Sequence, residues 1–528
     1  MDSKKIFIYD TTLRDGTQAE GIAFSVEDKI RITKELDNIG IDYIEGGWPG
    51  SNPISIEFFK RAKHITFKHS KLASFGSTRK AKTSVSDDPN IKAILEADTP
   101  VVTIFGKSWD LHVKDALKVD LQTNLEMIKD SVSYIKKFNK EVIYDAEHFF
   151  DGYINNKDYA IATLKAAKEG GADCLCLCET NGGRLYFEVF NIVKDIKAMF
   201  PDIRIGIHTH NDSELGVANT LAGVEAGAEH VQGTVNGIGE RCGNANLISI
   251  IANLELKMNY KCLLENKIRD LTYLSRFVYE LANLAPNTRQ PFVGKSAFAH
   301  KGGIHVDAVV KNPQTYEHID PELIGNERRV LISDQSGQSN LLYRAEELGL
   351  PIKKGTQEIK TILKVLKDKE FEGYQYEAAE GSFILLVKKL LGLHKDYFTL
   401  VSFRIIIEKE TDIEEPCTAT VKVRVHNKEE LSAGEGDGPV NALDNALRKA
   451  LLPFYPELKE MSLVDYKVRV LEENRGTAAK VVVLITSSDG TRDWGTIGVA
   501  ENIVEASYIA LADSFEYMIY LYREKLER

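Results

Sequence analysis

A chain of 528 residues is too long for a single hydrophobic core, and its length predicts roughly two to four domains. Apolar content of 43% and charged content of 27% are ordinary for a soluble globular protein, and no run approaches the roughly 20 apolar residues of a membrane span. A net charge of -11 argues against a nucleic-acid partner and leaves room for a local anion pocket.

The opening MDSKKIFIYD runs straight into a strand pattern, with no signal or transit segment, which predicts a cytoplasmic protein. From there one unit repeats: a short β-rich run, a polar turn, then an amphipathic helical stretch. The strand candidates cover 5–10, 42–46, 71–75, 101–105, 141–145, 173–178, 204–208 and 230–235. In SVEDKIRITKELDNIG, Ser25 and Asp28 have capping-box spacing, Ile30 and Leu36 share the apolar stripe, and Gly40 is placed to stop the helix. Eight such units predict an α/β fold, a (β/α)8 TIM barrel. A doubly wound open sheet fits less well, since no Gly-x-Gly-x-x-Gly follows the first strand. Cys174, Cys176 and Cys178 alternate along one apolar run and so face one side of a strand. Small buried thiols are the favoured reading, with a three-thiol metal site as the alternative.

Past residue 260 the alternation stops. Helices and loops rich in Gly, His and Asp, among them GKSAFAHKGGIH and SDQSGQSN, run to about residue 392. The last part carries an internal echo. FRIIIE and TATVKVRVH precede the helix GPVNALDNALRKAL, while DYKVRVLEE and AKVVVLITS precede ENIVEASYIALADSFEYMIYLY. A ββα duplication of this kind predicts a C-terminal α+β domain with a regulatory or assembly role. The expected division is a catalytic barrel over 1–265, linker subdomains over 266–392 and a regulatory domain over 393–528.

A barrel gathers its strand ends on one rim, where its active site belongs. Those ends deliver Asp10, Arg14 and Asp15; Glu45; Asp145 and Glu147; Glu179 and Thr180; His208, His210 and Asp212; and Asn236, Glu240, Arg241 and Asn244. His208 and His210, two apart on an extended segment, point to one side and can reach one ion. With Asp15 they form a two-His, one-carboxylate set suited to Zn2+, Mn2+, Co2+ or Mg2+, with open positions for a chelating 2-oxo acid. Arg14 is placed to neutralise a developing oxyanion, or to form an ordinary rim salt bridge. Glu147 is expected to face inward with Asp145. Gly237, Gly239 and Gly243 would let the backbone approach a bound cofactor closely.

Together, YDTTLRDGTQ, HTHND and NGIGERCGNANL resemble the three signatures of the barrel metal enzymes that include 2-isopropylmalate synthase, homocitrate synthase and hydroxymethylglutaryl-CoA lyase. The likeness extends through GGIHVDAVVKNPQTYEHIDPELIG and the C-terminal repeat, which the lyases lack. Within this group DYIEGGWPGSNP, SFGSTRK, TIFGKSWDLHV and YDAEHFFDGY are similar to the citramalate synthases, transferases that join acetyl-CoA to pyruvate in isoleucine biosynthesis. The resemblance implies metal ligands Asp15, His208 and His210, with Asn244 on or beside the metal. It implies oxyanion stabilisation by Arg14, proton transfer by Glu147 and His305 with Tyr316, and contact of Thr180 with the oxo-acid carboxylate. It further implies a homodimer and an amino-acid effector, isoleucine, bound at EGDGP and VAEN. The related 2-isopropylmalate and homocitrate synthases, acting on larger 2-oxo acids, are the alternative. Asp145 and Glu179 depart from the family pattern, and a charge on Asp145 would compress or polarise the pocket or take part in the proton relay.

Overall fold

The eight apolar runs close on themselves in sequence order as a parallel barrel: β1 (Phe7–Asp10), β2 (Tyr43–Gly47), β3 (Lys71–Ser77), β4 (Val101–Lys107), β5 (Glu141–Glu147), β6 (Cys174–Glu179), β7 (Arg204–Thr209) and β8 (His230–Gly233). The seam pairs Phe7 with His230 and Asp10 with Gly233. Strand ends differ from expectation by no more than about two residues, the usual latitude of such boundaries. In this computed structural model residues 4–333, 336–407, 417–471 and 479–525 are described. They fall into two units, Met1–Phe298 with His318–Arg328, and Ala299–Glu317 with Arg329–Arg528. No helix among the described residues is long and apolar enough to cross a membrane.

Alternation along the strands sorts side chains into two layers. Tyr9, Tyr43, Ala73, Val101, Ile143, Cys174, Cys176 and Cys178 pack with one another inside the barrel. Ile8, Ile44, Leu72, Val102, Val142, Leu175, Ile205 and Val231 face the surrounding helices instead. The three cysteines therefore do share one face, and that face is the lumen. The helix Val26–Ile39 begins at a Ser25 capping box closed by Asp28 and ends at Gly40, whose φ of 89° needs glycine.

The second unit contains the helices Gly303–Lys311, Gln338–Glu347, Gln357–Phe371 and Glu380–Leu390, and a short parallel pair, β9 (Ala299–His300) with β10 (Arg329–Val330). Its C-terminal part corrects the ββα expectation: among the described residues each repeat has three strands. β11 (Thr399–Ile406), β12 (Cys417–Val425) and β13 (Lys428–Gly436) precede the helix Pro439–Leu451. β14 (Ser462–Val470), β15 (Val481–Ser488) and β16 (Asp493–Ala500) precede the helix Ile503–Tyr520. The third strands, KEELSAGEG and DWGTIGVA, read as loops because they are polar and glycine-rich. Those glycines serve the packing: a Cβ on Gly434 or Gly436 would strike the backbone of the helix Pro439–Leu451, and one on Gly498 would strike Ala506. Glu435 and Gly436 of EGDGP end β13, and Val499 and Ala500 of VAEN end β16, the rest of each leading into the helix that follows. Glu408, Glu472 and Glu473 of the expected runs, and Asp334 and Gln335 of SDQSGQSN, lie outside the described residues.

Candidate active site

β7 carries His208 one residue before its end at Thr209, with His210 just beyond, and the turn after β1 leads into Asp15. His208 Nε2 lies 3.3 Å from His210 Nε2 and 3.9 Å from Asp15 Oδ2. Asn244 bridges to His210 in a short β contact and brings its Nδ2 to 3.1 Å from His208 Nε2. On its other side the His208 ring donates from Nδ1 to Gln232 Oε1 at 2.9 Å, which leaves the Nε2 lone pair turned toward Asp15 and His210. Burial pushes both imidazoles down, His210 to about 3 with help from His208, so both favour the neutral form. Burial alone would raise the Asp15 carboxyl, but Arg14 and then the two histidines hold it below the usual value. A carboxylate, two neutral imidazole nitrogens and an amide are a donor set that fits a divalent cation. Among the described residues the buried Asn244 Oδ1 has no hydrogen-bond partner, which fits an oxygen available to a cation; His210 Nδ1, the ring nitrogen not paired with His208, also has none.

Arg14 is held on three sides. It is ion-paired with Asp15 and Glu45, and its guanidinium carbon sits 3.7 Å from the centre of the Phe75 ring. Tyr9 donates its hydroxyl to Glu45 from the lumen. The rim salt bridge read from the sequence is present, and its ion pairs hold the guanidinium beside Asp15.

Glu147 ends β5, ion-paired with Lys107 at the end of β4. His148 follows at φ 56°, a conformation fixed by its N–H donating to Thr180 Oγ1 and by its ring lying 3.1 Å from Asp151 Oδ2. Asp145 accepts from Gln232 Nε2 at 2.9 Å and is buried. Burial and then Glu45 push its carboxyl well up, favouring the neutral acid over the charge expected there. Glu179, pushed up to about 7 chiefly by burial, accepts from the Gly183 N–H.

A cavity of about 190 Å³ lies among these groups, lined by Arg14, Asp15, Asp145, Glu147, Thr180, His208, His210, Glu240 and Arg241. Three aromatic rings, with Gln18 and Cys178, form the rest of its wall. Phe75 and Phe105 stack at 5.2 Å, and Trp48 meets them edge-on at 6.0 and 5.6 Å. The glycine loop has a local function: a Cβ on Gly239 would overlap Asn244, and Gly237 and Gly243 hold φ of 71° and 95° around it. Arg241 is ion-paired with Asp212 and donates to the Thr180 carbonyl, while Asn236 accepts from Ser275 and Gln290 away from the donor set. His305 and Tyr316 belong to the second unit, where their exposed rings pack at 4.3 Å.

Residues 5–278 match the HMGL-like family model, 292–371 the homocitrate synthase post-HMGL domain-like model, and 377–519 the LeuA allosteric (dimerisation) domain model. An (R)-citramalate synthase of Aquifex aeolicus is 54% identical over 98% of this chain and 98% of its own. One of Geobacter sulfurreducens is 56% identical over 97% of each. The chain belongs to the (R)-citramalate synthase family. A probable 2-isopropylmalate synthase of Methanopyrus kandleri matches at 32% identity over 95% of this chain and 96% of its own. For a member of the (R)-citramalate synthase family, the rim residues read from the sequence form most of the cavity. Trp48, Phe75, Phe105, Lys107 and Gln232 are among the site residues that the sequence reading missed. Lys107 stands at the end of β4, where a count of strand ends could have found it. Gln232 faces His208 only through the β7–β8 register.

Proposed function

We propose that the chain condenses acetyl-CoA with pyruvate and hydrolyses the thioester formed, releasing CoA and (R)-citramalate. The observation that carries the choice of pyruvate is the Trp48, Phe75 and Phe105 wall, which leaves a small cavity beside the donor set. A methyl group fits against such a wall, whereas a branched side chain would have to displace packed rings. The (R)-citramalate synthases at 46–56% identity support the same choice.

Asp15, His208 and His210, with Asn244 beside them, would hold a divalent ion of the Mg2+, Mn2+, Co2+ or Zn2+ type, which when bound polarises the ketone of the oxo acid. Glu147 takes a proton from the acetyl methyl group, with His305 and Tyr316 completing the proton-transfer set. The methyl carbon then bonds to the ketone carbon, and Arg14 faces the oxygen on which negative charge develops before it is protonated. Thr180 binds the oxo-acid carboxylate, and Gly237 and Gly239 shape the loop around the bound groups. Water finally breaks the thioester C–S bond.

The reading extends to a cytoplasmic homodimer whose C-terminal domain binds isoleucine and restrains the activity. The match to the LeuA allosteric (dimerisation) domain supports this part. Free CoA released with pyruvate, 2-oxoisovalerate or 2-oxoglutarate, each with and without isoleucine or leucine, tests the whole. Preference for 2-oxoisovalerate would overturn the choice of pyruvate.

A further inference from the structure

The luminal thiols have no part in that chemistry. Cys176 sits directly across from Asp145 in the β5–β6 register, and Cys178 follows one step along the same inward face. One oxygen of Asp145 and the two sulfurs all lie within 4.8 Å of one another. Donors around a tetrahedral Zn2+, with Zn–S near 2.3 Å, stand roughly 3.8 Å apart, so small side-chain rotations would close the set. Asp145 and Cys178 line the active-site cavity and give an ion its way in, while Cys176 is fully buried behind them. We propose that Asp145, Cys176 and Cys178 form a second cation site, selective for thiophilic divalent ions such as Zn2+ or Cd2+, whose occupation inhibits the enzyme.

Selectivity follows from the donors, since two sulfurs favour soft ions over Mg2+ or Mn2+. Burial pushes the Cys178 thiol up to about 11, which protects it from reagents that need a free thiolate. A thiophilic cation displaces the two thiol protons and the Asp145 carboxyl proton to solvent instead. Inhibition follows from Gln232, which donates to Asp145 and accepts from His208. An ion on the Asp145 carboxylate withdraws that acceptor, and Gln232 then no longer fixes the His208 ring.

The test uses the full chain carrying Cys242→Ser, because Cys242 is exposed and would bind the probe. The protein is saturated with Mg2+ and titrated with Cd2+, following both the ultraviolet cadmium–thiolate charge-transfer band and CoA release. One equivalent should raise the band and inhibit in parallel. Cys174→Ser, on the same face outside the group, should keep both effects. Cys176→Ser and Cys176→Ala should each lose the band and need roughly 10-fold more Cd2+ for half-inhibition, relative to their own uninhibited rates. A band that survives in both Cys176 variants, or inhibition that is the same in Cys174→Ser and Cys176→Ser, would overturn the site. The inhibitory role alone rests on the proposed condensation, and absent CoA release would count against that reading while the band still decides the site.

Discussion

His208 Nδ1 donates to Gln232 Oε1 at 2.9 Å, across neighbouring strands whose register sets the two residues side by side. The same amide donates to Asp145, so its orientation is fixed and the His208 tautomer with it. Replacing Gln232 with Leu should leave the fold intact and weaken divalent-cation affinity about 10- to 100-fold, measured by calorimetric titration. Unchanged affinity would mean that the ring is oriented by its other neighbours.

Asp15→Asn and His208→Ala remove ligands rather than their support. Each should reduce pyruvate-dependent CoA release by roughly a thousandfold or more, with midpoints of unfolding close to that of the parent chain. Near-normal turnover in both variants would sink the assignment of the donor set.

The aromatic wall sets the size of the oxo acid. Phe105→Ala removes one of its rings without touching Arg14, which rests on Phe75. The ratio of kcat/KM for 2-oxoisovalerate to that for pyruvate should rise about 10- to 200-fold. A ratio that stays put places the selectivity elsewhere.

Gly239 stands against Asn244 with no room for a side chain. Gly239→Ala should push Asn244 aside, lowering kcat and cation affinity together while costing about 1–3 kcal/mol of stability. The variant is checked by activity and denaturant unfolding side by side.

Lys29 offers a test of stability against pH. Its ammonium is buried, donates to the Gly46 carbonyl, and is pushed down to about 8, chiefly by burial. Between pH 8 and 10.5 the unfolded chain binds this proton and the folded chain does not, so stability rises with pH across that window. Relative to Lys29→Met, the parent chain should gain up to roughly 3 kcal/mol from one end of the window to the other. Parallel curves for the two proteins would show that the group does not titrate as its burial requires.

Local patterns carried most of the architecture and half of the site. Period-two apolar runs, the Ser25–Asp28 cap and the Gly40 stop are properties of neighbouring residues, and they marked all eight barrel strands. Polar residues at strand ends likewise named Arg14, Asp15, Glu147, Thr180, His208 and His210 before any of them could be seen to meet. The third strand of each C-terminal repeat escaped notice because its glycines answer to a helix packed across it, not to a local preference. Gln232 and the Phe75–Phe105 stack depend on which strands lie side by side once the barrel closes. The cysteines show both halves. Alternation along β6 put their side chains on one face, but only closure of the sheet made that face a lumen with Asp145 across from Cys176. Spacing along a chain fixes the direction of a side chain, whereas its neighbours are fixed by register between strands distant in sequence.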